Sequence, residues 1–202
     1  TAAAGIDVSS HQGWIDWEAV ADSGVSFAIL GAGYRGYSDG STHTDEYLAY
    51  NLTTAKACGL DVGLYYFSQA TSPSEAISEA QQVLEALDGA ELQLPIYFDW
   101  EPIEAEARTD SISASELTDC AKAFCQTVEL AGYQAGIYFN LSLATHYYHL
   151  YALKDYSFWL AEYADQPSFP FHVDLWQYSG SGNVHGIETD VDLDLSFVAT
   201  SE

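Results

Sequence analysis

Five short apolar runs separated by helical stretches constrain this chain more than any other feature. They occupy 4–8, 26–30, 62–67, 95–99 and 135–139. Each is apolar enough to be covered on both faces, as parallel strands are. Helical stretches lie between them at 16–22, 45–58, 74–87 and 113–131. Pro73-Ser74-Glu75 opens the third, and Ser113 with Glu116 gives the fourth the spacing of a capping box. Gly59 and Gly132 stand where helix C-caps belong. Strand and helix alternating at this rhythm give an α/β fold, either a β/α barrel or an open sheet.

The last third changes character. Runs at 157–163, 172–178 and 191–197 read as strands with no helix between them. Their links, 164–171 and 179–190, hold Pro167, Pro170, Gly180, Gly182 and Gly186. A parallel crossover usually needs a dozen or more residues, so these short links favour antiparallel neighbours. Eight strands are therefore expected, five with helices and three without, with at least one late strand reversed. A chain of 202 residues with 48% hydrophobic content suits one domain, 1–202.

Charge excludes one large class of function. Five basic against thirty acidic residues give a formal charge of −25, a field that repels phosphate backbones and argues against a nucleic-acid partner. No apolar run approaches the roughly 18 residues of a membrane span, so insertion into a membrane is not expected. No signal-peptide pattern opens the chain and no Met is present, which reads as a mature or excised fragment of a secreted, extracellular protein. A monomer is expected. Cys120 and Cys125 are five apart on one helical stretch, about 140° apart around its axis, and Cys58 could pair with either. No Cys and His cluster has zinc-site spacing. Asp190, Asp192 and Asp194 hint at calcium, but a loop counted from Asp190 has Leu195 and Ser201 where Gly and Glu are needed. Neither metal nor cofactor is expected.

The reactive groups of a β/α barrel sit at the C-terminal ends of its strands. Asp7 ends the first run, Asp99 ends the fourth, and Glu101 follows two residues on. Side chains alternate along extended chain, so Asp99 and Glu101 share a face about 7 Å apart, while Trp100 faces the other way. Two carboxylates in one mouth are what glycoside hydrolysis needs, one protonated to serve the leaving oxygen and one ionised. A reversed eighth strand would start at the same mouth and bring Asp192 to it. Asp190 and Asp194 share its parity and compete for that place. A lone Asp after a strand is commonly a turn or cap residue, but a turn needs only one acid, so the 99–101 pair carries more weight than Asp7.

Together these pieces resemble glycoside hydrolase family 25. The opening signature is Gly5-Ile6-Asp7-Val8-Ser9-Ser10-His11-Gln12-Gly13 with Ile15-Asp16-Trp17 after it. The likeness runs on through 63–67, 95–101 and 136–138 and closes with 159–163, 176–178 and 191–193, so it covers nearly the whole chain in order. It implies a flattened barrel of five β/α units and three further strands. It also implies an N-acetylmuramidase, a lysozyme cutting the β-1,4 bond between N-acetylmuramic acid and N-acetylglucosamine in peptidoglycan glycan strands. Glu101 would match the general acid. Asp99 would match a nucleophile or the orienter of the substrate's acetamido group, and Asp7 and Asp192 the supporting acids. Trp100 stands where a small aliphatic residue is frequent, and Asp194 where an Asn is.

Tyr65, Tyr138, Trp176 and Tyr178 are candidates for a sugar platform, since the apolar faces of pyranose rings pack on such side chains. Trp14, Trp17 and Trp159 are assigned to packing, and His11 to orienting the first loop. Two other functions compete. A non-catalytic glycan-binding barrel would have no need of Asp99 and Glu101 together. A chitinase-like hydrolase of N-acetylated glycans would share the pair but not the signature from Asp7 to Gly13.

Overall fold

Eight strands close into a barrel in the computed structural model, which describes residues 2–197. They are β1 (Ala3–Val8), β2 (Phe27–Arg35), β4 (Asp61–Phe67), β5 (Ile96–Asp99), β6 (Ala135–Asn140), β7 (Ser157–Ala161), β8 (Leu175–Gly182) and β9 (Val191–Ser196), and a ninth strand, β3 (Thr42–Thr44), stands outside the ring. Around the barrel β1, β2, β4, β5, β6, β7 and β8 are parallel neighbours, and β9 closes the ring antiparallel to both β8 and β1. The expected α/β barrel with a reversed last strand is what the chain forms.

Two strand details differ from the sequence reading. The strands β7 and β8 are parallel although no helix joins them. Their link, 162–174, is long enough for a crossover and makes it without a helix. Strand β3 was not anticipated, because Thr42-His43-Thr44 is exposed and lacks an apolar alternation. It exists because β2 runs beyond β1: β1 pairs with Phe27 to Leu30, and β3 takes the edge from Gly33 to Arg35.

The helices are α1 (Trp17–Asp22), α2 (Leu48–Ala57), α3 (Pro73–Leu87), α4 (Ala114–Leu130) and α5 (Leu141–His146). Ser113 and Glu116 form the reciprocal capping box at α4, and Ser72 caps α3 ahead of Pro73. Gly59 and Gly132 take φ of 85° and 92° after α2 and α4, a conformation costly for any residue with a Cβ. The unanticipated α5 is a single short helix capped by Asn140.

The core has two layers. Ile6, Val8, Leu30, Leu64, Phe98, Ile137 and Phe139 point outward and pack with the helices. Phe27, Ile29, Tyr97, Tyr138, Trp159 and Leu175 fill the barrel itself. Rings and glycines interdigitate there: a Cβ on Gly5 would lie 2.3 Å from the Phe27 ring, and one on Gly136 2.4 Å from Tyr97. The lower barrel is thus a packed floor, and the acids Asp7, Asp99 and Asp192 stand above it. Cys58, Cys120 and Cys125 are all free thiols, so the disulfide left open by the sequence does not form.

Candidate active site

The alternation that sends Tyr97 into the barrel also sends Asp99 there, at the last residue of β5. Asp7 sits one residue from the end of β1, and β9 runs the opposite way, so its second residue, Asp192, pairs directly with Asp7. Glu101 follows β5 and is more open than Asp99. Trp100 is buried outside the barrel against Tyr147, at 5.3 Å between ring centroids. One mouth therefore holds Asp7, Asp99, Glu101 and Asp192. Asp194 lies on the same face of β9, fully buried beneath them, whereas Asp190 is exposed before the strand begins.

Burial raises the proton affinity of every one of these acids. Asp99 is pushed well above the ordinary carboxyl range by burial and then by Glu101. Glu101 is raised by burial and then by Asp192. Asp7 is raised well above its usual value by burial, Asp194 and Asp192, against the opposing pull of a hydrogen bond from Gln177. Asp192 is raised by burial, with Asp7 pulling it down. The site as a whole retains protons into the range where ordinary carboxyls have lost them. Asp99 Oδ1 is buried with no hydrogen-bond partner, an acceptor pointing at nothing in the protein.

Residues that sequence reasoning missed hold these acids in place. Gln177, nearly fully buried, donates from Nε2 to Asp7 Oδ2 at 2.7 Å. Its Oε1 accepts from the hydroxyls of Tyr138 at 3.1 Å and Tyr163 at 3.2 Å, which fixes the amide's orientation. Gln69 Nε2 donates to the Glu101 carbonyl at 2.9 Å, and Thr109 holds the other end of that amide at 2.7 Å. The Ser68 N–H donates to the Asp99 carbonyl at 2.7 Å, and the Ser68 hydroxyl donates to buried Glu79 at 2.6 Å. Glu79 in turn pairs with Arg35 at 2.6 Å. Partners so distant along the chain leave no local sequence signal.

The opening signature is a tether. Ser9 and Gln12 form a reciprocal cap, the Ser10 N–H donates to Asp45, and Gln12 Nε2 reaches the Asp190 carbonyl at 3.3 Å. His11, expected to orient this loop, is exposed, and Gln12 does that work.

The four candidate platform aromatics divide. Tyr65 and Tyr138 lie in the barrel around Trp159, at 6.1 Å and 4.8 Å between centroids and edge to face. Trp176 is turned the other way, because Leu175 and Gln177 on either side of it face inward. It is only 6% exposed, donates to the Glu162 carbonyl and packs on half-buried Tyr178. Trp176 thus faces away from the barrel interior that holds Tyr65 and Tyr138. Tyr163, 64% exposed and tied to Gln177, is an aromatic at the mouth that the sequence did not single out. Among the described residues no group of three or more His, Cys, Asp or Glu could hold a metal ion, and no helix is long and apolar enough to cross a membrane.

Comparison with known proteins gives this geometry a context. The model of glycosyl hydrolases family 25 matches residues 6–187. The autolytic lysozyme of Clostridium acetobutylicum is 30% identical over 191 residues, 94% of this chain and 54% of that protein. The modular autolysin LytC of Streptococcus pneumoniae, solved in complex with a synthetic peptidoglycan ligand, superposes with a TM-score of 0.82 at 28% identity, covering 97% of this chain and 47% of that one. A family 25 glycosyl hydrolase from Bacillus anthracis shares the fold, with a TM-score of 0.80 at 22% identity over 98% of this chain and 89% of its own. The chain spans about half the length of the autolytic lysozyme and of LytC.

Proposed function

The chain belongs to glycosyl hydrolase family 25, and on that premise we propose that it is a muramidase, hydrolysing the β-1,4 bond between N-acetylmuramic acid and N-acetylglucosamine in peptidoglycan. One observation carries the reading: Asp99 ends β5, Glu101 follows two residues on and enters the same mouth, and Asp99 Oδ1 is buried without a partner. Relatives named as lysozymes and a structural neighbour solved with a peptidoglycan ligand support the substrate class.

In this reading Glu101 protonates the glycosidic oxygen as the bond to the anomeric carbon breaks. Asp99 faces the reacting sugar from its other side, as a nucleophile or as the acceptor that orients the 2-acetamido N–H. The unpartnered Oδ1 suits the second role. An N–H donated to Asp99 would favour its ionised form and leave the proton on Glu101, where it is needed. Asp192 supplies the negative charge that keeps Glu101 protonated, and Gln177 holds Asp7 at the rim. Tyr65, Tyr138 and Tyr163 offer ring faces and hydroxyls to the glycan. The enzyme would act outside the cell, on the wall.

The test is to digest purified peptidoglycan, reduce the products and identify the new ends. Reduced muramic acid is the expected end. Reduced glucosamine would indicate the chitinase-like bond choice, and no new ends would indicate a non-catalytic barrel.

A further inference from the structure

Asp194 is a carboxyl that the proposed hydrolysis does not use, yet it is fully buried in the middle of a barrel full of negative charge. Its Oδ1 accepts the Trp159 indole N–H at 2.8 Å. Its Oδ2 is buried and has no N–H or O–H donor in the protein. Asp7, diagonal to it across the β1–β9 pairing, lies within hydrogen-bonding reach. One oxygen of Asp7 is already taken by Gln177, whose amide is locked by two tyrosine hydroxyls. Each carboxyl thus has one oxygen satisfied by the protein, and the geometry leaves a single proton to satisfy the gap between them.

We propose that Asp194 is a positioning residue that shares one proton with Asp7 and thereby holds Asp7 against Gln177 at the mouth. Its catalytic consequence rests on the muramidase reading, while the sharing itself does not. Among the groups facing the pair, Asp192 is the one competing carboxyl within reach of Asp7, but it is only part-buried, where water can serve it, whereas Asp194 Oδ2 is buried without a partner. Asp192 comes from β9, Asp99 and Glu101 from the end of β5, and the phenols of Tyr65, Tyr97, Tyr138 and Tyr163 from β4, β5, β6 and the segment after β7. Arg35 and Arg108 are committed to Glu79 and Glu75. Burial pushes Asp194 up to about 7, against the opposing pull of Asp7 and Trp159. The charge of Asp194 raises Asp7 in turn, so the last proton of the pair leaves above that value; two buried carboxylates then repel, and Asp7 loses its fixed position.

Asparagine at either position mimics the shared proton without titrating. In Asp194→Asn the amide oxygen can keep the Trp159 N–H while the amide N–H donates to Asp7, and Asp7→Asn can donate to Asp194 Oδ2. The folded pair binds a proton that the unfolded chain releases, so the wild-type melting temperature should fall as pH rises from about 4 to above about 7. Asp194→Asn and Asp7→Asn should each flatten that fall, and the double variant should flatten it no further than either alone. For Asp194→Asn the alkaline limb of the pH profile of kcat/KM on peptidoglycan should also move upward, with the acid limb staying in place. Flattening that adds in the double variant, or an unchanged slope in whichever single variant folds, overturns the shared proton. A wild-type protein that hydrolyses no peptidoglycan sinks the muramidase reading and leaves the thermal test intact.

Discussion

Replacing Arg35 by Met strikes a support that lies outside the barrel but reaches the site through one serine. Arg35 is 6% exposed and Glu79 wholly buried, and their contact is 2.6 Å. The guanidinium also donates to the Gly40 and Glu75 carbonyls and the Ser78 hydroxyl. Met fills comparable volume but leaves Glu79 with Ser68 alone. Breaking a buried pair by removing one partner costs about 3–5 kcal/mol. For a domain of this size each kcal/mol lowers the melting temperature by about 2–4 °C, so a loss of about 6–20 °C is expected at pH 8. The pH dependence is the sharper signature. Burial pushes Glu79 up to about 7 even though Ser68 and Arg35 pull it down. Without Arg35 its proton affinity rises further, so above pH 7 the folded variant keeps a proton that the folded wild type has lost. The stability difference should therefore widen by about 1.4 kcal/mol per pH unit above 7 and stay level below it. Thermal or urea denaturation of both proteins across about pH 5 to 8.5 measures this. A difference that is constant with pH, or below about 1 kcal/mol throughout, refutes the account of Glu79 as a buried carboxylate held by Arg35.

Three further outcomes follow from the site and the charge. Asp192→Asn removes the charge that raises Glu101 and should lower kcat/KM about tenfold or more, whereas Asp190→Asn, at an exposed position, should stay within about twofold; equal small effects would remove Asp192 from the site. Gly136→Ala places a Cβ 2.4 Å from the Tyr97 ring and should cost about 1–3 kcal/mol in denaturation experiments, with a neutral effect contradicting the packed floor. At −25 the protein should be repelled from polyanionic walls, so turnover of whole walls should rise as salt shortens the screening length from about 30 Å at 0.01 M to about 10 Å at 0.1 M. Short fragments should respond much less, and a steady loss of wall activity with salt would show that a local attractive patch controls adsorption.

Much of the fold was legible because barrel strands are marked by burial on both faces and helices by their caps. Ser113 with Glu116, and Gly132 after α4, bracket that helix almost to the residue. The acids were legible from parity and the strand-end rule, and the reversal of β9 explains why Asp192 joins them. What parity could also have given is the outward turn of Trp176, since it alternates with Leu175 and Gln177. Gln69 and the Arg35–Glu79 pair were not legible, and Gln177 was visible only within the 176–178 likeness, without its role. Each acts on a residue 32 to 170 positions away, through contacts that exist only once the barrel has closed. The short β3 and the helix-free crossover from β7 to β8 likewise depend on which edges and distances the closed barrel leaves available.

The most direct test of the account is Glu101→Gln, assayed on purified peptidoglycan by the appearance of reduced muramic acid ends. The amide is close to isosteric with the acid, and the Glu101 carbonyl stays bonded to Gln69. The melting temperature should therefore remain near that of the wild type while turnover falls by about 10²-fold or more, the usual contribution of a general acid. A folded Glu101→Gln variant that releases muramic acid ends at close to the wild-type rate would contradict the assignment of Glu101 as the proton donor.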